Sequence, residues 1–151
     1  VDPWQKSDQE VTKYSTRLRM IQALTEGIEN VEVCEIEAEL SESITVKTLN
    51  ALAERHPGDK FFPIVGADLV SSLTTWQGYA ELVASYEFIV GTRPEHQTKP
   101  IQGVKVTLVE TPGVHISSTD IRKRVERGES IEGLTNDSVC QIIKELQLYQ
   151  G

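Results

Sequence analysis

The chain has 151 residues, 38% of them hydrophobic and 25% charged, with 15 lysines and arginines against 23 aspartates and glutamates for a formal charge of −8. Those proportions fit one soluble domain of ordinary size and exclude a disordered segment. The acidic balance excludes a general nucleic-acid binder, which needs broad phosphate neutralisation, but not a small anion held by a few local donors.

In chain order, Tyr14, Leu18, Ile21, Leu24 and Ile28 recur at steps of three and four, which predicts a helix over 12–28. The β-branched run VEVCEI at 31–36, with Val31, Val33 and Ile36, predicts a short strand. Ser43 and Thr45 then lead a second helical pattern through Val46, Leu49 and Leu52, stopped by Pro57-Gly58. FFPIVGAD, at 61–68, is a short apolar run ending in glycine, as expected of a strand buried on both faces. Helical stretches follow at 69–76 and 79–84, and YEFIVGTR predicts another apolar strand at 86–93.

Val104, Val106 and Leu108 alternate in a further strand, Pro112-Gly113 makes a turn, and a helix starts near Ser118. The last helix begins near Asn136 or Asp137 and carries Val139, Ile142, Ile143 and Leu146 on one face. Cys34 and Cys140 have no CxxC spacing, so both read as core or near-core residues rather than a disulfide or zinc framework. No apolar run is long enough to cross a membrane and no signal-peptide pattern is present, so a cytoplasmic protein is expected.

Strands alternating with helices, without repeats or linkers, predict a single α/β domain over 1–151, a Rossmann-like parallel sheet with helices on both faces. Such sheets bind ligands beyond the carboxyl ends of their strands. Gly66-Ala67-Asp68, Gly91-Thr92-Arg93 and Ser117-Ser118-Thr119 each follow an apolar strand. Ser117 or Ser118 would cap a helix whose free N–H groups and positive dipole end cradle an anion, with Arg122 one turn in reaching it with a forked guanidinium. A plain capped surface helix has the same local pattern. Gly66 would let a nucleotide approach the backbone, with Asp68 accepting from ribose hydroxyls; a tight turn with a helix-capping carboxylate is the structural alternative. Trp76 is either core or an aromatic platform, and Thr45 a helix N-cap, a ligand contact or both.

Ile116-Ser117-Ser118-Thr119-Asp120-Ile121-Arg122 resembles the ISSTxIR signature of the nucleotidylyltransferase superfamily, in which it grips the ATP phosphates. IVGADLVSSLTTWQGYAEL, at 64–82, is similar to the GADxL…W…EL segment of nicotinate-mononucleotide adenylyltransferases, and SITVKTL, at 43–49, to their SYTxDTL. Ile44 replaces the usual tyrosine of that motif and Lys47 the usual aspartate. Pro3-Trp4-Gln5-Lys6 resembles PPHK, with Trp4 and Gln5 in place of its proline and histidine, and Arg17 and Met20 match the R..M that follows.

The resemblance implies adenylyl transfer from ATP to nicotinate mononucleotide, giving deamido-NAD and pyrophosphate, with Mg²⁺ accompanying the ATP. It implies Arg122 and Lys6 as catalytic residues and Gly66, Asp68, Arg93, Ser117, Ser118, Thr119 and Arg122 as the ATP site. Thr45 and Trp76 would hold the mononucleotide, Trp76 by stacking on its pyridine ring. No protein metal site, nucleic acid or membrane is implied, and self-association stays open. Nicotinamide mononucleotide or pantetheine phosphate as acceptor, or a catalytically silent nucleotide-binding domain, are the alternatives.

The superfamily's other signature, HxGH after the first strand, is absent: of His56, His96 and His115, none has another histidine three residues away. The chain opens at Val1 without a methionine, so the first strand and that motif are expected to lie upstream of it.

Overall fold

The structure, a computed structural model, describes residues 11–40, 42–92, 103–111 and 116–150. By their contacts the residues divide into two units, Ile36–Val114 and the pair of segments Val1–Glu35 and His115–Gly151. Each is treated on its own.

The first unit contains α2 (Ile36–Glu39), α3 (Thr45–Arg55), β1 (Ile64–Gly66), α4 (Ala67–Val70), a 3₁₀ turn (Leu73–Thr75), α5 (Tyr79–Ser85), β2 (Phe88–Thr92) and β3 (Val106–Glu110). The strands form a parallel sheet in the order β1-β2-β3, with Gly66 beside Gly91 and Val65 beside Val90. The α/β class and parallel sheet expected of the sequence are therefore present. In-register neighbours point to the same face, and Val65, Val90 and Phe88 pack there with Ile44, Val46 and Leu49 of the α3 region, Val70, Leu73, and Leu82 of α5. Phe88, Leu73, Leu82 and Val90 are fully buried.

The expectation that β1 is buried on both faces fails. Val65 is buried, but Ile64 is 75% exposed and Phe62 44%. Alternation along the strand sends Ile64 to the face opposite the α3–α5 core, and among the described residues β1 pairs with β2 alone.

The other unit contains α1 (Tyr14–Thr25), α6 (Ser118–Glu126) and α7 (Asp137–Glu145). α7 is a well-marked amphipathic helix, burying Val139, Ile142 and Ile143. Asn136 caps it by accepting from the Val139 amide at 2.9 Å, and its Nδ2 donates to the Ala23 carbonyl of α1 at 2.8 Å. Arg19 of α1 pairs with Glu145 of α7 at 2.9 Å.

The strand predicted at 31–36 does not form. Residues 31–35 are irregular and Ile36 opens α2. A strand is stabilised by its ladder more than by β-branched composition, and this run has no pairing partner among the described residues. Cys34, expected near the core, is exposed there, whereas Cys140 is half-buried in α7 and burial raises its thiol pKa.

Candidate active site

In the unit of residues 36–114, Gly66 and Asp68 stand at the carboxyl end of β1, as the strand pattern predicted. Gly66 is the residue before α4, in extended conformation, and has no side-chain cap. The Asp68 carboxylate leans into the space where a Cβ on Gly66 would be, so the glycine's missing side chain is used by Asp68 itself. Asp68 is exposed and does not cap the helix, which leaves its oxygens open as acceptors. Gly91 and Thr92 end the neighbouring strand β2.

Thr45 is the first helical residue of α3, not its N-cap. Ile44 takes that position, only 3% exposed and part of the core, with no side-chain cap. The segment is fixed from its flanks instead. Ser43 Oγ donates to one Glu37 carboxylate oxygen at 3.0 Å and Thr48 Oγ1 to the other at 2.9 Å, tying the start of α3 to α2. Trp76 follows the 3₁₀ turn in extended conformation, half-buried and packed against the core cluster.

In the other unit, Ser117 is the N-cap of α6, accepting from the Asp120 amide at 3.1 Å and donating to the Asp120 carboxylate at 2.5 Å. The first-turn amides of a helix have no intrahelical partner. Ser117 satisfies one, while Ser118 and Thr119, both exposed, open the helix to solvent. Arg122 is half-buried one turn along and donates to Thr119 Oγ1 at 3.2 Å. Among the described residues it meets no carboxylate in ion-pair range. Ser118 and Arg122 line a cavity of about 900 Å³ together with Thr12, Arg17 and Tyr149.

Arg17 donates to the Thr12 carbonyl at 2.5 Å and lies 5.8 Å from the Tyr14 ring centroid. The sequence flagged Arg17 but not Thr12, Tyr149 or Glu37. Glu37 looks like any other acid of the EIEAEL run, and no local pattern distinguishes it. Lys6 and Arg93 lie outside the described residues. Among the described residues no cluster of three or more His, Cys, Asp or Glu could hold a metal, and no helix is long and apolar enough to cross a membrane.

A capped helix start beside an arginine with no carboxylate partner among the described residues, and, separately, a parallel sheet with Gly66 and Gly91 at the carboxyl ends of β1 and β2, are features of a class: α/β proteins that handle phosphorylated nucleotides. Residues 2–124 match the family model described as cytidylyltransferase-like. A probable nicotinate-nucleotide adenylyltransferase of Exiguobacterium sibiricum is 39% identical over 140 residues, covering 92% of this chain and 74% of that protein. Its counterpart from Halalkalibacterium halodurans is 37% identical over 150 residues, 98% and 72% respectively. A nicotinic acid mononucleotide adenylyltransferase of Plasmodium falciparum, solved with NaAD, has the same fold. Its TM-score is 0.79 at 20% identity, over 95% of this chain and 77% of that one. The chain belongs to the cytidylyltransferase-like family, in the branch of the nicotinate-nucleotide adenylyltransferases.

Proposed function

We propose that this chain carries the adenylyl-transfer site that joins ATP to nicotinate mononucleotide in NAD biosynthesis. The observation that carries the reading is the α6 opening: two first-turn amides, those of Ser118 and Thr119, beside a guanidinium that has no carboxylate partner among the described residues and lines a cavity. An exposed helix N-terminus favours negative charge, and a forked guanidinium matches phosphate oxygens.

In this reading the 5′-phosphate of the mononucleotide attacks the α-phosphorus of ATP. A new phosphoanhydride bond forms as the bond to the β-phosphate oxygen breaks, and pyrophosphate leaves. No covalent enzyme intermediate is required, because positioning and charge stabilisation suffice for such a transfer. Ser118, Thr119 and Arg122 hold the polyphosphate, with Ser117 fixing the helix start. Asp68 accepts from ribose hydroxyls beside Gly66, Thr45 and Trp76 hold the mononucleotide, and Lys6 and Arg93 contribute further cationic contacts. Mg²⁺ would accompany ATP as part of the substrate and would supply charge neutralisation to the phosphates, with no carboxylate cage required of the protein. The two cysteines are free, which accords with a reducing cytoplasm.

We also propose that the edge of β1, which has no further strand partner among the described residues, is completed by another parallel strand. Ile64, 75% exposed beside that edge, is the apolar side chain such a strand would help to cover. We read residues 1–151 as belonging to one nucleotidylyltransferase domain.

Ile44 favours a second acceptor reading. The family's tyrosine at this place is replaced by a side chain that is buried in the core, so position 44 offers the pyridine substituent no hydroxyl. Comparing turnover of nicotinate and nicotinamide mononucleotides decides between the two acceptors. For the site itself, Arg122→Ala in the full-length enzyme is expected to lower kcat roughly 10²–10³-fold, as for one lost charge-stabilising donor. Unchanged kinetics would remove Arg122 from the site.

A further inference from the structure

We propose that Tyr149 is a positioning residue for Arg122, holding the guanidinium where it can meet the polyphosphate; this rests on the ATP reading of the α6 site. Four observations within one unit carry it.

The Arg122 Cζ lies 6.0 Å from the centroid of the Tyr149 ring, at the outer range of a cation–π contact. Thr119 holds the same guanidinium from the helix side, so it is bracketed by a hydroxyl and an aromatic ring. The ring in turn is anchored at its far end, where Thr12 Oγ1 donates to the Tyr149 hydroxyl at 3.1 Å. Thr12 is itself fixed, because its carbonyl accepts from Arg17, another residue lining the same cavity.

The backbone gives the fourth observation. Helix α6 ends with Gly128 at φ +69: the Gly128 amide reaches the Val125 carbonyl and the Glu129 amide the Arg124 carbonyl, both at 2.9 Å. Helix α7 ends by the same pair of bonds, Gln147 to Lys144 at 3.3 Å and Leu148 to Ile143 at 3.0 Å, but with Gln147 at φ +48 in the glycine's place. Two residues later Tyr149 also has a positive φ, +61. A bulky residue seldom occupies that left-handed region, and such strain persists where surrounding contacts hold it. At Tyr149 that conformation is accompanied by the side chain's contacts with Thr12 and Arg122.

An arginine carries much rotamer freedom, and each fixed contact reduces what substrate binding must still order. A ring that restrains the guanidinium without neutralising it leaves the full charge for phosphate. A carboxylate in the same place would restrain it but compete with the ligand.

A double-mutant cycle on the full-length enzyme tests the proposal, with kcat and the KM for each substrate measured separately. Tyr149→Phe keeps the π face but loses the Thr12 anchor, and is expected to lower kcat by about two- to threefold, less than loss of the ring. Tyr149→Leu removes the π face and is expected to lower kcat about three- to tenfold, with the KM for the mononucleotide unchanged. In an Arg122→Ala background the same Leu substitution is expected to change kcat by less than about twofold, because its partner is gone. Equal losses in both backgrounds overturn the proposal, since a general loss of packing behaves that way. Should Tyr149→Leu fail to fold, Tyr149→Met, whose unbranched flexible chain adapts to the gap without a π face, carries the same cycle. An impaired Arg122→Ala with no coupling to Tyr149 overturns the positioning role alone. A fully active Arg122→Ala overturns the phosphate reading, and the positioning role with it.

Discussion

Glu37 and Thr48 are joined across the start of α3 by a 2.9 Å hydrogen bond, and the second Glu37 oxygen takes Ser43 in the same way. One half-buried carboxylate thus serves the residues on either side of Thr45. Glu37→Ala leaves two hydroxyls without their charged partner, and bonds to charged groups are among the stronger ones. We expect a loss of about 1–3 kcal/mol in urea unfolding, with a raised KM for the mononucleotide and little change in the KM for ATP. A variant equally stable, with both constants unmoved, would show the bridge to be dispensable.

Asn136 has two duties that a helix cap alone does not require. It accepts from Val139 at the α7 start and donates to the Ala23 carbonyl of α1. Asn136→Asp keeps the first contact and loses the second; Asn136→Ala loses both. The expected order of stability is wild type, Asp, Ala, with the alanine variant down by about 1–2 kcal/mol. Chemical denaturation of the three proteins decides the order, and an aspartate variant as unstable as the alanine one would place the whole effect on the tie to α1.

Where sequence and structure agree, the cause is local. Ser117 and Asn136 cap α6 and α7 because hydroxyl and amide oxygens reach back to the first-turn amides, a geometry written into three or four consecutive residues. The apolar run expected at 86–93 forms β2 over Phe88–Thr92, where Phe88 and Val90 meet a covered face. The failures are non-local. Val31 and Val33 have strand composition without a ladder, and Ile64 has core composition on an uncovered face. Cys34 went astray with its strand. The site divides in the same way: Ser117, Ser118 and Arg122 fall within one short motif and are legible, whereas Tyr149 meets Arg122 through the turn after α7, which no helical periodicity announces.

The Arg19–Glu145 pair gives a pH signature. The Arg19 hydrogen bond, with a second from Gln141, holds the Glu145 carboxyl below its ordinary value. A depressed folded pKa means that the stability from this pair is present above the unfolded value and lost as pH falls through the folded one. Both side chains are about half exposed, so the effect on stability is small. In Arg19→Gln the Glu145 titration, followed by NMR, should move up toward the ordinary carboxylate value. The small Tm deficit of that variant should close as both proteins are acidified. A Glu145 titration unchanged by the substitution would mean that Gln141 alone sets it.

The turn after α7 offers a substitution that should stabilise the protein. Gln147 occupies at φ +48 the position that Gly128 fills after α6, with the same pair of closing bonds. A side chain in left-handed conformation costs energy that glycine avoids, although glycine also gains freedom in the unfolded chain. The two effects oppose, and at a true left-handed cap the first is the larger. Gln147→Gly should therefore gain about 0.5–1 kcal/mol in thermal or urea unfolding, whereas Gly128→Ala, the converse change after α6, should lose about 1 kcal/mol. The turn that carries Tyr149 to Arg122 is kept by the glycine, so activity should stay at the wild-type level. Stabilisation with a fall in kcat would mean that the Gln147 side chain itself has a part in holding Tyr149 in place.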